Sequence, residues 1–182
     1  MLHLNFSPFP QLITERLVLR QLIAADADDI IVLRNNETVN QYLNRPKKTT
    51  PGDALIFIDK ITKGINNNES MYWVIALKEN NRLIGTTCLW NIVAKEDTAE
   101  IGYELHPDFH GKGIMQEAMQ AVIDFGFNGM QLKVITAFTS VANIASIKSL
   151  ERNNFKLDTA GKYSLEDEVE MEGNAVYVLE KI

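Results

Sequence analysis

The sequence predicts a mixed α/β fold: one sheet, largely built from an antiparallel meander, with helices packed on it. Three observations predict it. The apolar period switches repeatedly between two residues, as in strands, and about 3.6, as in helices. Three successive strand-like segments between residues 71 and 106 are separated only by short polar turns. A further strand and two helices follow before the closing strands, an order that mixes α and β elements along one chain.

Bulk properties agree with such a fold. The chain has 182 residues, 46% hydrophobic and 23% charged, which fits a single soluble domain over residues 1–182. Cys88 is the only cysteine, so no intrachain disulfide can form and a reducing, cytoplasmic setting is expected. The opening MLHLNFSPFP has no basic segment followed by an apolar one and does not read as a secretory signal. Apolar runs such as Ala54 to Ile58 are far shorter than the roughly 20 residues a membrane span needs. A net charge of −6 disfavours nucleic-acid binding over a broad basic surface and biases the protein towards cationic partners such as amines.

Arg16 to Leu22 alternates as a strand, with Leu17, Leu19 and Gln21 opposite Val18, Arg20 and Leu22. Ala24-Ala25-Asp26 opens a helix through Arg34, where Asp26, Asp28 and Asp29 suit the positive end of the helix dipole. A short helix is expected over Glu37 to Leu43, and a longer one from Pro51-Gly52-Asp53 to Lys63. Asn66-Asn67-Asn68 is a loop. The meander strands are Met71 to Leu77, Leu83 to Asn91 and Thr98 to His106, joined at Glu79-Asn80-Asn81 and Lys95-Glu96-Asp97. Gly113 to Asn128 has helical spacing of Ile114, Met115, Ala118, Met119, Val122, Ile123 and Phe125, with Gly129 as its stop. Leu132 to Phe138 is a strand, and Asn143 to Arg152 a helix that ends at Asn153-Asn154. Phe155 to Tyr163 and Ala175 to Leu179 close the sheet, on either side of an acidic loop containing Glu166, Asp167, Glu168, Glu170 and Glu172.

The chemistry concentrates between Thr98 and Asn128. A strand ends at His106-Pro107, and a helix begins near Gly113. A helix N-terminus presents free backbone N–H groups and a partial positive charge. Gly111 and Gly113 keep side chains away from those groups, while His110 and Lys112 add donors, so the loop reads as a pyrophosphate cradle. A dinucleotide fingerprint would need glycine where Gln116 stands, and no P-loop pattern occurs.

Three stretches carry a family resemblance. Ala99-Glu100-Ile101-Gly102-Tyr103-Glu104-Leu105 followed by His106-Pro107-Asp108-Phe109-His110-Gly111-Lys112-Gly113 resembles the acetyl-CoA signature of the GCN5-related N-acetyltransferases (GNAT). Asn143 to Phe155 resembles a second signature, found in the branch that acetylates ribosomal-protein N-termini. Thr14 to Arg20 resembles that branch's opening strand. The resemblance runs from about residue 12 to the C-terminus. It implies a mostly antiparallel, twisted sheet of six or seven strands, with helices on both faces and a splayed strand pair that holds the cofactor.

The resemblance further implies that backbone groups of Glu104, Leu105 and His106 pair with the pantetheine arm and the thioester carbonyl. The amides of His110, Gly111, Lys112, Gly113, Ile114 and Met115 would hold the pyrophosphate, and Asn143 would bond the pantetheine. His110 stands where the family prefers Gln or Arg, Met115 where it prefers Gly or Ala, and Asn154 where Gly is usual.

Direct transfer to an amine needs a base, a polarised thioester carbonyl and a proton for the leaving thiolate. Strand alternation puts Glu100, Gly102, Glu104 and His106 on one face and turns Ala99, Ile101, Tyr103 and Leu105 towards a core, with Gly102 leaving room for a substrate. Glu100 matches a catalytic glutamate of several family members and is the first candidate base, Glu104 the second. Ser146 is the candidate beside the leaving thiol, to orient the sulfur or relay a proton from water; many relatives carry a tyrosine one turn later, where Leu150 stands here. The structural alternatives are a solvated strand face for the two carboxylates and a helix serine bonded to a carbonyl for Ser146. Cys88 reads as a packed cysteine, Tyr72, Trp73 and Trp90 as core or rim, and His3, His106 and His110 lack metal-ligand spacing.

The expected activity is therefore acetyl transfer from acetyl-CoA to a protein N-terminus or a small amine, without a metal, by a monomer or homodimer. The alternative is a non-catalytic acyl-CoA-binding or sensing module on the same fold.

Overall fold

The computed structural model describes residues 2–163 and 173–181, so the acidic segment with Glu166, Asp167, Glu168, Glu170 and Glu172 lies outside the described residues. One eight-stranded sheet organises the chain. Its strands are β1 (Leu12–Ile13), β2 (Leu17–Arg20), β3 (Met71–Leu77), β4 (Leu83–Val93), β5 (Thr98–Leu105), β6 (Val134–Ser140), β7 (Lys156–Leu157) and β8 (Asn174–Glu180). They lie in the order β1-β2-β3-β4-β5-β6-β8-β7. Every pairing is antiparallel except β5 with β6. The count exceeds the expected six or seven because β1 is a two-residue strand that alternation cannot reveal. The expected strand from Phe155 to Tyr163 shrinks to β7.

The helices are α1 (Ala27–Asn35), α2 (Glu37–Asn40), α3 (Pro51–Asn66), α4 (Ile114–Asp124) and α5 (Ile144–Arg152). Helix α3 starts at a capping box in which Thr50 and Asp53 satisfy each other's backbone groups, with Pro51 at the first helical position. It runs three residues beyond the expected end, and Asn68, at φ 58°, takes the left-handed turn that follows.

Alternation in β3 shows how the layers sit. Tyr72 meets Phe57 of α3 edge to face at 5.7 Å, while its neighbour Trp73 meets Phe125 just beyond α4 at 5.3 Å. Adjacent strand residues point to opposite faces, so α3 covers one face of the sheet and α4 the other. The core is continuous and includes Leu17, Leu19, Trp73, Ile75, Leu89, Ile101, Met119 and Val122, all fully or nearly fully buried.

Gly129 does not stop α4 as expected. The helix opens into a π turn over Phe125–Gly129, and the amide of Met130 donates to Phe125 O. A Cβ on Gly129 would sit 2.8 Å from the Phe125 ring, so glycine is required there by a close approach. The left-handed residue that ends the turn is Gln131, at φ 63°. Asn154 is left-handed at φ 65°, as its position after α5 predicts.

Candidate active site

Strands β5 and β6 pair in parallel over three residues only, Thr98 with Val134, Ala99 with Ile135 and Glu100 with Thr136. Beyond Glu100, β5 stays with β4 as far as Leu105, while β6 stays with β8 as far as Ser140. The two strands therefore part at Glu100 and leave a wedge-shaped gap whose edge of β5 is unpaired.

The gap-facing backbone groups follow from the β4–β5 ladder. His106 donates its amide to Ile84 O at 2.8 Å, and its carbonyl accepts from the Phe109 amide. The Glu104 carbonyl lies so close to Gly85 that a Cβ there would meet it at 2.5 Å. The backbones of Glu104 and His106 are thus turned towards β4 or used locally. In an antiparallel ladder the intervening residues face the opposite way. Of the expected trio, Leu105 turns its backbone towards the gap together with Tyr103, and Glu104 and His106 turn theirs towards β4. The Leu105 carbonyl accepts a hydrogen bond from His110 Nε2 at 2.9 Å, which ties the loop to the strand.

After β5 a short 3-10 turn (Pro107–Phe109) leads through His110, Gly111 and Lys112 to Gly113, the N-cap of α4. Gly111 and Gly113 have φ of 72° and 74°, a left-handed conformation that side chains rarely adopt. Gly113 offers no side chain to cap the helix, so the first amides of α4 have no side-chain cap. Met115 packs against the core, which directs its bulk away from the loop.

Arg16 holds this loop in place. Its Nη1 donates to Lys112 O at 2.8 Å and its Nε to Glu117 Oε2 at 2.7 Å. Glu117 Oε1 also accepts from the Arg16 amide and the Thr14 hydroxyl. Burial works to raise the Glu117 pKa, but these hydrogen bonds and the Arg16 charge outweigh it and hold the carboxyl below its ordinary range. The sequence places Thr14 and Arg16 in a family signature. Their contact with a helix 100 residues away is not legible from it.

On the face covered by α3, Glu100 is 8% exposed and lies opposite Trp90 of β4. Glu104 pairs with Arg45 (Nη1 to Oε2, 2.7 Å) and accepts from Thr86 Oγ at 3.3 Å. Glu104 is held in an ion pair, and Glu100 lies at the residue where β5 and β6 part. Gly102 does not leave the expected empty space between them. Cys88 Sγ lies 2.9 Å from where its Cβ would be, and Trp90 Nε1 3.8 Å away. Burial, with Glu100 and Glu104 nearby, pushes the Cys88 thiol up to about 12, despite a bond with the Gly102 backbone, so it carries no thiolate for covalent catalysis.

On the other face, Tyr103 is not simply a core residue. Its phenol lies 2.8 Å from Ser146 Oγ in the first turn of α5. Burial raises the phenol to about 12, partly offset by that hydrogen bond, so it remains protonated. Asn143 caps α5 by accepting from the Ser146 amide through Oδ1 at 3.1 Å, which leaves Nδ2 as its donor. Buried Asn153 joins α4 and α5, bonding Gln116 of α4 and Ser149 O of α5.

Comparison with known proteins agrees with this geometry. Residues 16–156 match the family model of the acetyltransferase (GNAT) domain. A Bacillus licheniformis protein named Uncharacterized N-acetyltransferase p20 is 35% identical over 146 residues, 80% of this chain and 82% of that protein. The fold is shared with RimL, the ribosomal L7/L12 alpha-N-protein acetyltransferase solved with coenzyme A. Its TM-score is 0.79 at 20% identity, covering 94% of this chain and 98% of that one. It is shared also with MccE, the microcin C7 self immunity acetyltransferase solved with acetyl-CoA and AMP. Here the TM-score is 0.76 at 22% identity, covering 92% and 93% of the two chains. With a matching domain over most of its length, the fold and a parted strand pair beside a bare helix N-terminus, the chain belongs to the GNAT acetyltransferase family and is an acetyl-CoA-dependent acetyltransferase.

Proposed function

We propose that the protein transfers the acetyl group to a primary amine, a protein N-terminus or a small amine, by direct attack, with Glu100 as the base. The observation that carries this reading is the parting of β5 from β6 immediately after Glu100, which leaves a buried carboxylate at the apex of the gap.

The residues present fit acetyl-CoA. The unpaired edge of β5 at Tyr103 and Leu105 suits the amides of a pantetheine arm, and Asn143 Nδ2 supplies a further donor. The amides of Gly111, Lys112, Gly113, Ile114 and Met115 suit a pyrophosphate, whereas the expected His110 amide is taken by Pro107 O and its ring by Leu105 O. Acetyl-CoA supplies the acyl group as a thioester. Glu100 takes a proton from the incoming ammonium, directly or through a water. Ser146, hydrogen-bonded to the Tyr103 phenol at 2.8 Å, orients the departing sulfur and relays to it a proton from water, regaining its own proton in the same relay. Tyr103 positions that hydroxyl; a phenol held near 12, like a serine hydroxyl, gives up no net proton, so water is the source.

Glu100→Gln tests the base. It is expected to lower kcat/KM at neutral pH by at least about a hundredfold and to remove the acidic limb of the pH profile. Acetyl-CoA affinity by titration calorimetry stays close to wild type. An unaltered pH profile would show that the base lies elsewhere.

A further inference from the structure

Buried polar groups normally have hydrogen-bond partners, and each one that does not needs an explanation. Among the described residues, two buried guanidinium nitrogens have none, Arg34 Nε and Arg45 Nη2, and the buried Tyr72 hydroxyl has no partner beyond a weak interaction with Thr86. They come from α1, the segment between α2 and α3, and β3, yet they belong to one cluster. The Arg34 guanidinium stacks on Phe57 at 4.3 Å, Phe57 meets Tyr72 edge to face, and Arg45 pairs with Glu104. Arg34 acts electrostatically on Tyr72, and both feel Glu104. The cluster lies on the same face of the sheet as Glu100.

Its charges do not cancel. Arg34 and Arg45 bring two positive charges, and Glu104 offsets one. Burial, and the neighbouring Arg45, lower the Arg34 pKa from its ordinary value, and Glu104 and Tyr72 offset this only in part. Two guanidinium donors and a phenol make a donor set for one carboxylate. The distance to the base sets what carries it. Glu100 and Glu104 are four residues apart on β5, roughly 13 Å at strand rise. In an α-amino acid the amine and carboxylate are separated by only two bonds. An extended peptide gains roughly 3.4 Å per residue, so a carboxylate on its second to fourth residue reaches the cluster while its terminal amine stays at Glu100.

We infer that the acceptor is a peptide N-terminus with an acidic side chain at positions two to four, and that Arg34, Arg45 and Tyr72 receive that carboxylate. The inference rests on the proposed amine transfer with Glu100 as base, and deepens it by naming the acceptor class.

The test uses the full-length protein with acetyl-CoA and tetrapeptide pairs that differ only by Asp or Asn, placed in turn at positions two, three and four. Free aspartate and aspartate amide form a further arm. The wild type is expected to favour the best Asp peptide over its Asn partner by about tenfold or more in kcat/KM, the range of a charge-assisted bond. It is expected to show no such preference for free aspartate. Arg34→Gln is expected to bring the Asp/Asn ratio towards one, and Arg34→Lys to retain part of it. Partial misfolding lowers both rates together, so the ratio reports recognition alone. A ratio near one in the wild type, or a ratio undiminished in Arg34→Gln, overturns the inference while leaving amine transfer standing. A preference confined to free aspartate overturns it in favour of a small-molecule acceptor. If no amine or peptide releases CoA, the proposed amine transfer fails and takes the inference with it.

Discussion

Tyr103 and Ser146 show how one hydroxyl can determine what another does. A serine hydroxyl has one proton and can donate it in only one direction at a time. The Tyr103 phenol and Ser146 Oγ share one hydrogen bond at 2.8 Å, so whichever hydroxyl donates in it sets which proton is left for another partner. Tyr103→Phe keeps the ring and removes the donor. It is expected to lower kcat several-fold, roughly the 1 kcal/mol of a single hydrogen bond, with the KM for acetyl-CoA little altered. The double variant with Ser146→Ala should be no slower than Ser146→Ala alone, and additive losses would show that the hydroxyls act separately. Strand alternation put Tyr103 on the right face. Its partner was out of reach, because the pair is 43 residues apart and depends on where α5 docks. Asp26 shows a similar limit. Read as a dipole-stabilising residue, it is in fact buried, with both carboxylate oxygens on Arg20 and one also on the Ile23 amide.

At the scale of elements, helix α4 is tied to the turn between β1 and β2. Glu117, one turn into the helix, is gripped by Thr14 and Arg16, and Arg16 reaches on to the Lys112 carbonyl. The folded pKa of Glu117 lies below the usual glutamate value. Its contribution is therefore present above about pH 4.3, the unfolded value, and is lost as pH falls through the lower folded value. Glu117→Gln is expected to weaken acetyl-CoA binding several-fold at pH 7, with the difference from wild type shrinking as Glu117 of the wild type becomes protonated. Calorimetric titration across that range checks it, and a pH-independent difference would mean that Glu117 does not hold the loop by charge. The sequence made α4, its Gly-x-Gly entry and its apolar face legible, because those are local patterns. It did not reveal the π turn after Asp124, where the close approach of Phe125 to Gly129 overrides the usual helix stop.

Across the whole molecule, Trp73 ties separate parts of the chain together. Fully buried on β3, it donates to Pro10 O at 2.7 Å and meets Phe9 and Phe125 edge to face. The N-terminal residues are thereby fixed across the face that carries α4, and Phe6 is buried with them. Trp73→Phe removes the hydrogen bond and leaves unfilled volume, and is expected to cost about 2–4 kcal/mol in urea unfolding. A loss below about 0.5 kcal/mol would mean that this segment does not depend on Trp73. The meander and its turns were readable in advance because neighbouring strands are joined by short connections. The β5–β6 pairing was not, since it is parallel, lasts three residues and joins strands with a helix between them. That brief pairing also divides the protein by tolerance to mutation. In the proposed site, the working groups on the unpaired edge of β5 are amides and carbonyls, which every residue except proline supplies in full, so exchanges at Leu105 are limited by packing alone. On the face of Glu100, Glu104, Tyr72 and the two arginines the working groups are side chains. A lineage can therefore change acceptor by substitution there without disturbing how it holds its acyl donor.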